Sequence, residues 1–334
     1  KTGGDAVRAS MLHADQESNP FCSRWRYFDK FSKPNLLRCH RRKVTDVCVD
    51  ISGSIVCSVA MDATLKVHGL NDGKQRRSYK VKRRSLSLAL SSCAIMPDSN
   101  TVVVGSWDNS VYVYSISQGA IVGEGRTHED AVSSVALSEG RVLSGSWDGC
   151  VKLWQLRQSR LDPRPLLDLY DHEHPIMCVC MDATSRLACS ASQDGVVILW
   201  DLRTGTRQRT IKAHKREVTG IALSNTGYDV TTVSSDGRVK MFDVTKGDCF
   251  LDINTGEALS CVRTDGDVIF TAGESGCVKL WDVNHQDSEE KARICTNSFG
   301  HKLAGVSLSR DGEWMAAGIE NESGTGDLGI FKSI

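Results

Sequence analysis

The sequence predicts an all-β protein made of repeated units, and two observations support this prediction. The first is a template of the form small-Ser-x-Asp-Gly-x-Val-x-Leu-Trp, which is most complete at residues 145–154 and 191–200 and recurs in altered form at 234–242. The second is the alternation of short β-branched and aromatic runs with turns rich in Gly, Asn, Asp and Ser, which is typical of strands joined by tight turns. No helical periodicity competes with the strand pattern in these units.

The spacing of the template gives the number and size of the units. A turn residue stands six positions before the end of each of six units, at Asp62, Asp108, Asp148, Asp194, Asp236 and Ser275. With a seventh unit that has a longer turn, the units end at residues 68, 114, 154, 200, 242, 281 and 331, at spacings of 46, 40, 46, 42, 39 and 50. Units of about 40–45 residues match one four-stranded propeller blade. Residues 34–334 are therefore expected to form a seven-bladed β-propeller.

Composition and charge exclude several classes of protein. The chain has 334 residues, and its 41 Lys and Arg balance 41 Asp and Glu, which excludes a globally basic nucleic-acid binder. Apolar runs reach about five residues, whereas a membrane-spanning helix needs about 20. The 13 cysteines include no Cys-x-x-Cys motif. We therefore expect reduced core thiols in a cytoplasmic protein, with no metal site and no cofactor.

Histidines stand at a near-constant distance before the turn aspartates. The interval is 22 residues for His40, His172 and His214, and 20 residues for His128. Histidine and aspartate together form common catalytic pairs, so a catalytic interpretation competes with a structural one. An enzyme would need a nucleophile or an acid–base pair outside the repeats, and no Ser, Cys or His has a recognisable catalytic spacing. We favour the structural interpretation and expect no catalytic residue.

The units resemble the WD-repeat family, in which Gly-His opens a unit and Trp-Asp closes its third strand. The closing dipeptide occurs at residues 200–201 and 281–282, and the opening one at 300–301. The resemblance implies a hydrogen-bonded chain of His, Ser, Asp and Trp inside single blades, which satisfies buried polar groups. The residues at these positions are His128, Ser146, Asp148 and Trp154 in unit three, His172, Ser192, Asp194 and Trp200 in unit four, and His214 and Asp236 in unit five, where Phe242 replaces the tryptophan.

The same resemblance predicts how the ring closes. In this family each unit begins with the outer strand of the preceding blade, so an N-terminal strand must complete the last blade. Residues 35–39, directly before His40, are available for this pairing, which would protect the edge of the last sheet.

Residues 1–33 differ in character from the repeats and are expected to be a linker or N-terminal extension that is partly disordered. Their last third is an aromatic segment, residues 21–31, with Phe21, Trp25, Phe28 and Phe31 at helical spacing. This segment either packs against the side of the propeller or docks a preceding domain. Because the chain begins at Lys1, we expect it to be part of a longer polypeptide.

Two regions resemble one kind of WD-repeat protein more closely than the general template. Residues 89–93 with 105–116, and residues 131–133 with 144–148, are similar to the second and third propeller units of BEACH-domain proteins of the type associated with neutral sphingomyelinase activation. Such proteins carry a PH-like module and a BEACH domain before a C-terminal propeller. The resemblance implies an intramolecular BEACH partner and an adaptor role between a receptor tail and ceramide signalling.

Basic residues cluster around the first blade. The loops before the first strands of units one and two are equivalent, and they carry Arg41, Arg42 and Lys43, and Lys82, Arg83 and Arg84. We expect these six residues to form one patch that binds an acidic or phosphorylated receptor tail or anionic membrane lipids. The alternative is a solvated charge run that keeps the first blade soluble. We expect no nucleic-acid partner, because the net charge is zero and only Tyr79 interleaves with the basic residues.

The sequence as a whole predicts a non-catalytic scaffold that binds protein partners through its loops, in the cytoplasm and in part at membrane surfaces. Within the BEACH resemblance it would couple a receptor tail or membrane partner to neutral sphingomyelinase and ceramide signalling. A vesicle or lysosome trafficking scaffold of another BEACH protein is one alternative. A structural brace for upstream domains is the other.

Overall fold

The computed structural model describes residues 31–81, 88–138, 140–224, 227–265, 268–283, 292–294, 301–310, 312–321 and 323–333. All regular secondary structure in these ranges is β-strand, in 29 strands that form seven antiparallel sheets. The innermost strand of each sheet contacts the innermost strand of the next, and the seventh returns to the first. The predicted all-β, seven-bladed propeller is confirmed.

The first three blades follow one another along the chain. Their strands are β2 (Val44–Val49), β3 (Ile55–Ala60), β4 (Thr64–Gly69) and β5 (Gln75–Lys80) in blade one, β6 (Leu90–Ile95), β7 (Thr101–Ser106), β8 (Val111–Ser115) and β9 (Ala120–Gly125) in blade two, and β10 (Val132–Ser138), β11 (Arg141–Ser146), β12 (Val151–Arg157), β13 (Arg160–Leu161) and β14 (Leu167–Leu169) in blade three. In blade three the outer position is divided, because β13 and β14 both pair with β12.

The remaining blades keep the same order. Their strands are β15 (Ile176–Met181), β16 (Leu187–Ser192), β17 (Val196–Asp201) and β18 (Thr206–Lys212) in blade four, β19 (Val218–Leu223), β20 (Asp229–Ser234), β21 (Arg238–Asp243) and β22 (Cys249–Asn254) in blade five, β23 (Leu259–Asp265), β24 (Val268–Gly273), β25 (Val278–Asp282) and β26 (Ala292–Ile294) in blade six, and β27 (Leu303–Leu308), β28 (Trp314–Glu320), β29 (Gly326–Lys332) and β1 (Asn35–His40) in blade seven.

The first strand of the chain closes the ring, as the sequence predicted. β1 pairs antiparallel with β29, with Asn35 opposite Ile330. The contact extends before β1, since the backbone N–H of Ser32 donates to the carbonyl of Lys332 at 2.9 Å. Phe31, the last residue of the aromatic segment, is buried and its ring centroid lies 5.8 Å from that of Phe331. The rest of the segment, residues 21–30, lies outside the described residues.

Apolar side chains of neighbouring sheets pack against each other and form the core. Trp154 of blade three, for example, is fully buried in one cluster with Val103 and Val113 of blade two. Burying a side chain of this size stabilises the folded state by several kcal/mol, roughly 25 cal/mol for each Å² of apolar surface. Each blade is therefore stabilised mainly by its neighbours.

The innermost strand of every blade contains a bulge at the same place, after its first residue. The extra residue is Thr45, Ser91, Ser133, Met177, Thr219, Ser260 and Ala304 in blades one to seven. Five of these carry a hydroxyl, and each donates to the carbonyl of the first strand residue of the next blade, as Thr45 does to Leu90 at 2.7 Å and Ser133 to Ile176 at 2.6 Å. The bulge thus places one hydroxyl between two blades, and in four of the five cases that hydroxyl also contacts a carbonyl of its own sheet.

The innermost strands enclose a central cavity of 510 Å³. Asp46 of blade one faces it, accepts hydrogen bonds from the Ser92 hydroxyl at 2.9 Å and the Cys93 N–H at 3.0 Å, and lies 4.0 Å from the Arg263 guanidinium of blade six. Burial raises the pKa of the Asp46 carboxyl, and Arg263 and these hydrogen bonds oppose that rise. The cavity is lined by groups that hold the blades together.

Candidate functional site

A buried hydrogen-bonded chain crosses blade three at the end of the ring that carries the opening histidines. The indole N–H of Trp154 donates to Ser144 Oγ at 2.9 Å, Ser144 Oγ lies 2.8 Å from His128 Nε2, and His128 Nδ1 lies 2.9 Å from Asp148 Oδ2. The hydroxyl in this chain is therefore Ser144, and the assignment of Ser146 to it was wrong. Ser146 Oγ instead donates to the carbonyl of Asp130 at 3.0 Å and accepts from the N–H of Asp148 at 3.1 Å.

Blade four shows the same shift by two residues. Trp200 donates its indole N–H to Ser190 Oγ at 2.8 Å, and His172 Nε2 lies 2.7 Å from the same oxygen. The assignment of Ser192 to this chain was wrong as well, because its hydroxyl bonds the carboxylate of Asp194. Among the described residues, the hydrogen bonds to Asp194 come from Ser192 and from the N–H of Val196. The His172 ring is thus linked to the strand hydroxyl rather than to the turn.

Blades one and five repeat the arrangement with variations. In blade five, His214 Nε2 lies 2.8 Å from Thr232 Oγ1 and its Nδ1 lies 3.1 Å from Asp236. In blade one, His40 Nε2 lies 2.8 Å from Ser58 Oγ, and Nδ1 lies 3.4 Å from Asp62. The strand hydroxyl stands four residues before the turn aspartate in each case, a spacing that the sequence analysis did not use.

Blade six lacks both the histidine and the turn aspartate, and Glu257 takes their place. Its carboxylate accepts from the backbone N–H of Ser275 at 2.6 Å and forms an ion pair with Lys279. The Trp281 indole still donates to Thr271 Oγ1 at 2.8 Å. This substitution was not predicted, although a carboxylate and a lysine at these positions are visible in the sequence.

Burial and hydrogen bonding control the charge of these groups. Burial opposes ionisation of Asp148, but hydrogen bonds from His128 and from two backbone N–H groups outweigh it and lower the pKa of the carboxyl to about 2. Burial also lowers the pKa of His172 to about 4, against the attraction of Asp194 and Asp171. The side chains of His40, His128 and His214 are 0% exposed. These imidazoles hold turns in place and do not reach a molecule in solvent.

The end of the ring that carries these pairs is called here the His–Asp face, defined by His40 with Asp62, His128 with Asp148 and His214 with Asp236. The tight turns on this face end in positive backbone angles, for example φ 78° at Gly149, where a Cβ atom would lie 2.9 Å from the carbonyl oxygen of His172. Glycine therefore lets this turn pack against the loop of the next blade, whereas Ala63 and Asn109 adopt the positive angle in blades one and two.

The predicted basic patch is described in part. Arg41, Arg42 and Lys43 lie in the loop between β1 and β2 and are exposed, and the backbone N–H of Arg41 donates to the Asp62 carboxylate at 2.9 Å, which places the loop on the His–Asp face. Lys43 forms an ion pair with Glu320. The other three predicted residues, Lys82, Arg83 and Arg84, lie outside the described residues.

The residue after the opening histidine occupies the same exposed place in several blades. Its backbone N–H donates to the turn aspartate in blades one, three and five, and the residues there are Arg41, Glu129 and Lys215. The charge on the His–Asp face therefore changes sign around the ring. Positive groups lie over blades one and five, and a negative group lies over blade three.

Two exposed tryptophans on the same face were missed by the sequence analysis. Trp107 and Trp147 stand directly before the turn aspartates of blades two and three, and their ring centroids are 5.4 Å apart. The sequence shows both residues, but at a position of the template that the repeat leaves variable. Their contact is visible only in the folded ring, where the turns of blades two and three lie side by side.

Other kinds of site are restricted by the described residues. In the ranges that the structure covers, no group of three or more His, Cys, Asp or Glu side chains is placed to hold a metal ion. In the same ranges, no helix has the length and apolar composition to cross a membrane.

Comparisons with known proteins agree with this geometry. Residues 54–281 match the family model described as "Nucleolar protein 10-like, N-terminal domain", and residues 32–68 match "WD domain, G-beta repeat". Similar curated proteins include Autophagy-related protein 16 of Arabidopsis thaliana, 23% identical over 75% of this chain and 49% of that protein, and sterol regulatory element-binding protein cleavage-activating protein of Xenopus laevis, 27% identical over 50% of this chain and 13% of that protein.

A third similar protein is the F-box/WD-40 repeat-containing protein At5g21040 of Arabidopsis thaliana, 24% identical over 73% of this chain and 46% of that protein. The chain spans about half the length of the relatives it matches, or less. The family match covers most of the blades. The chain belongs to the nucleolar protein 10-like N-terminal β-propeller family and is built from WD repeats.

Proposed function

We propose that this WD-repeat propeller is a non-catalytic interaction scaffold whose His–Asp face binds an acidic or phosphorylated peptide segment at Arg41 and Arg42. One observation carries the proposal. Both side chains are exposed, and neither guanidinium forms an ion pair within the described part of the chain. Two exposed guanidinium groups that form no ion pair among the described residues suit a carboxylate or phosphate, which they contact through paired N–H donors.

The similar proteins support a scaffold rather than one particular chemistry. Their names refer to autophagy, to activating the cleavage of a sterol regulatory element-binding protein, and to an F-box protein. Sequences similar to this chain thus occur in proteins with different named roles, as expected if the loops determine the partner.

We further propose that the propeller works inside a BEACH-domain protein, where it couples a receptor tail to neutral sphingomyelinase and ceramide signalling in the cytoplasm. This part rests on the resemblance of residues 89–93, 105–116, 131–133 and 144–148 to such proteins. Its test is ceramide production after receptor stimulation in cells whose full-length protein carries Arg41→Glu and Arg42→Glu. An unchanged ceramide response would separate the propeller from this pathway.

The binding proposal has its own test. Fluorescence anisotropy would follow a labelled phosphoserine peptide with acidic flanks as it binds the chain and the Arg41→Glu/Arg42→Glu variant. We expect the variant to bind at least about ten-fold more weakly, since each basic residue near an anionic partner contributes roughly 1 kcal/mol. Lys215→Glu/Arg216→Glu is the matched control, because it reverses two charges at the equivalent loop of blade five.

The control variant should bind the peptide as the unmodified chain does. If the Arg41→Glu/Arg42→Glu variant also binds as the unmodified chain does, the patch is not a binding site. If the peptide fails to bind but vesicles with anionic lipids do, and the Arg41→Glu/Arg42→Glu variant loses vesicle binding, the partner is a membrane surface rather than a peptide.

A further inference from the structure

Two tryptophans lie side by side on the His–Asp face, at the same position of neighbouring blades. Their rings are inclined by 47°, and Trp107 is 38% exposed and Trp147 37% exposed. The other tryptophans in the described residues, Trp154, Trp200, Trp281 and Trp314, are buried. Trp107 and Trp147 therefore differ from the rest in leaving a joint indole surface open to solvent.

The backbone holds this pair in place. The N–H of Trp107 donates to the carbonyl of Ala89 at 2.9 Å, and the N–H of Trp147 donates to the carbonyl of Ala131 at 3.0 Å. Both residues thus belong to turns that are fixed by hydrogen bonds to the loop before the blade. A rigid, exposed pair of indoles contributes little to the core, but it offers a large contact area that loses little entropy on binding.

Acidic residues lie beside the pair. The loop between β9 and β10 runs against both turns, because Asn109 Nδ2 donates to the carbonyl of Glu129 at 2.9 Å and Ser146 Oγ donates to the carbonyl of Asp130 at 3.0 Å. Glu129 and Asp130 are exposed, and neither carboxylate forms an ion pair among the described residues. The Asp130 carboxylate accepts from the N–H of Ala131 at 2.7 Å, so it retains most of its capacity for an incoming donor.

We propose that Trp107, Trp147, Glu129 and Asp130 form a second docking surface, which binds a peptide segment carrying arginine or lysine next to an apolar side chain. Charge complementarity selects this partner. The open indole faces attract a cation and cover an apolar group, and the two carboxylates pair with the same cation. This surface therefore prefers a positively charged segment, whereas the Arg41 and Arg42 loop prefers a negatively charged one. The two partners are different segments.

The test uses two short synthetic peptides with a central leucine, one flanked on both sides by arginine and the other by glutamate. Isothermal titration of the complete chain is expected to detect binding of the arginine peptide and much weaker binding of the glutamate peptide. Trp107→Ala/Trp147→Ala should weaken binding of the arginine peptide by about ten-fold or more, as expected for aromatic residues at the centre of an interface.

Four further variants separate the contributions of the charge, the indole rings and an unrelated exposed aromatic residue. Glu129→Lys should weaken binding of the arginine peptide and strengthen that of the glutamate peptide, because Glu129 contacts its neighbours through its backbone and only its charge is reversed. Trp147→Leu keeps apolar area but removes the ring face, and it should bind less tightly than Trp147→Phe. Tyr228→Ala removes an exposed aromatic residue from a turn between the first two strands of blade five and should change nothing.

Urea unfolding of each variant shows whether the ring remains intact, which is expected because both indoles are partly exposed. The proposal is overturned if neither peptide binds at millimolar concentration, if the double tryptophan variant binds the arginine peptide as well as the unmodified chain does, or if the glutamate peptide binds equally tightly. Loss of phosphopeptide binding in Arg41→Glu/Arg42→Glu bears on the other loop and leaves this surface unaffected.

Discussion

Replacing Ser144 with alanine tests the buried hydrogen-bonded chain directly. Ser144 is fully buried, and its hydroxyl joins the indole of Trp154 to the imidazole of His128. Without it, the indole N–H and the imidazole Nε2 lose their partner in a site that water does not enter easily. Each buried polar group left unpaired costs about 1–3 kcal/mol, so we expect the free energy of unfolding to fall by about 2–4 kcal/mol.

Ser146→Ala is the matched control, because Ser146 is also fully buried and lies two residues away in β11. Its hydroxyl contacts the carbonyl of Asp130 and the N–H of Asp148, which are backbone groups beside an exposed loop and within reach of water. We expect a loss of about 1 kcal/mol, the net value of one ordinary hydrogen bond.

The assay is equilibrium unfolding in urea, followed by tryptophan fluorescence, for both variants and for the unmodified chain. Trp154→Phe removes the indole donor, so a double-mutant cycle of Trp154→Phe with Ser144→Ala should give a coupling energy of about 1 kcal/mol or more, and with Ser146→Ala about zero. Equal losses for the two serine variants, or a larger loss for Ser146→Ala, would refute the assignment of Ser144 to the chain.

Three further predictions follow from the fold. The folded state lowers the pKa of His172 to about 4, whereas the same imidazole in the unfolded chain binds a proton near pH 6.5. The free energy of unfolding that depends on neutral His172 is therefore fully present above pH 6.5 and is lost as the pH falls toward 4. In urea unfolding at pH 7 and pH 4.5, His172→Gln should reduce this loss by about 1–3 kcal/mol. Deleting residues 1–40 removes β1 and should cause aggregation through the open edge of blade seven in size-exclusion chromatography, whereas deleting residues 1–30 should not. Ala304→Ser should add the missing hydroxyl link to the Val44 carbonyl and raise the unfolding free energy by about 0.5–1 kcal/mol, and an unchanged urea midpoint would contradict it.

The ring could be predicted from sequence because its units repeat and each must meet the same physical requirements. Asp148 and Asp194 mark turns in which a carboxylate accepts backbone N–H groups, and Trp154 and Trp200 mark the ends of buried strands. The closing strand was predicted from the resemblance to WD-repeat proteins, and it protects the edge of blade seven.

The serine of the hydrogen-bonded chain was misassigned because two serines of β11 fit the repeat. Ser144 and Ser146 point to the same side of β11, since side chains alternate along a strand, and both are followed by small residues or turn residues. The position of the Trp154 indole N–H in the folded blade decides between them, because it lies 2.9 Å from Ser144 Oγ. A hydroxyl ten residues before the closing tryptophan recurs at Ser190 and Thr271, and this spacing would have identified Ser144.

The tryptophan pair illustrates a different limit. Trp107 and Trp147 are 40 residues apart and stand at the same position of consecutive units, but the sequence does not give the distance between their rings. Their contact depends on the twist between two sheets. The same holds for the Asp46 and Arg263 pair, which joins blades one and six at the central cavity.

Hydroxyl bonds from the bulge residues are absent at two of the seven boundaries between blades. Met177 supplies no hydroxyl between blades four and five, where the Cys178 thiol lies 3.7 Å from the Val218 carbonyl, and Ala304 supplies none between blades seven and one. These bulge-residue bonds therefore run without interruption through blades one to four and through blades five to seven. A protein engineer who needs a split reporter would cut the polypeptide between β18 and β19, where no bulge hydroxyl crosses the boundary, and β1 of the first half would pair with β29 of the second half when they rejoin.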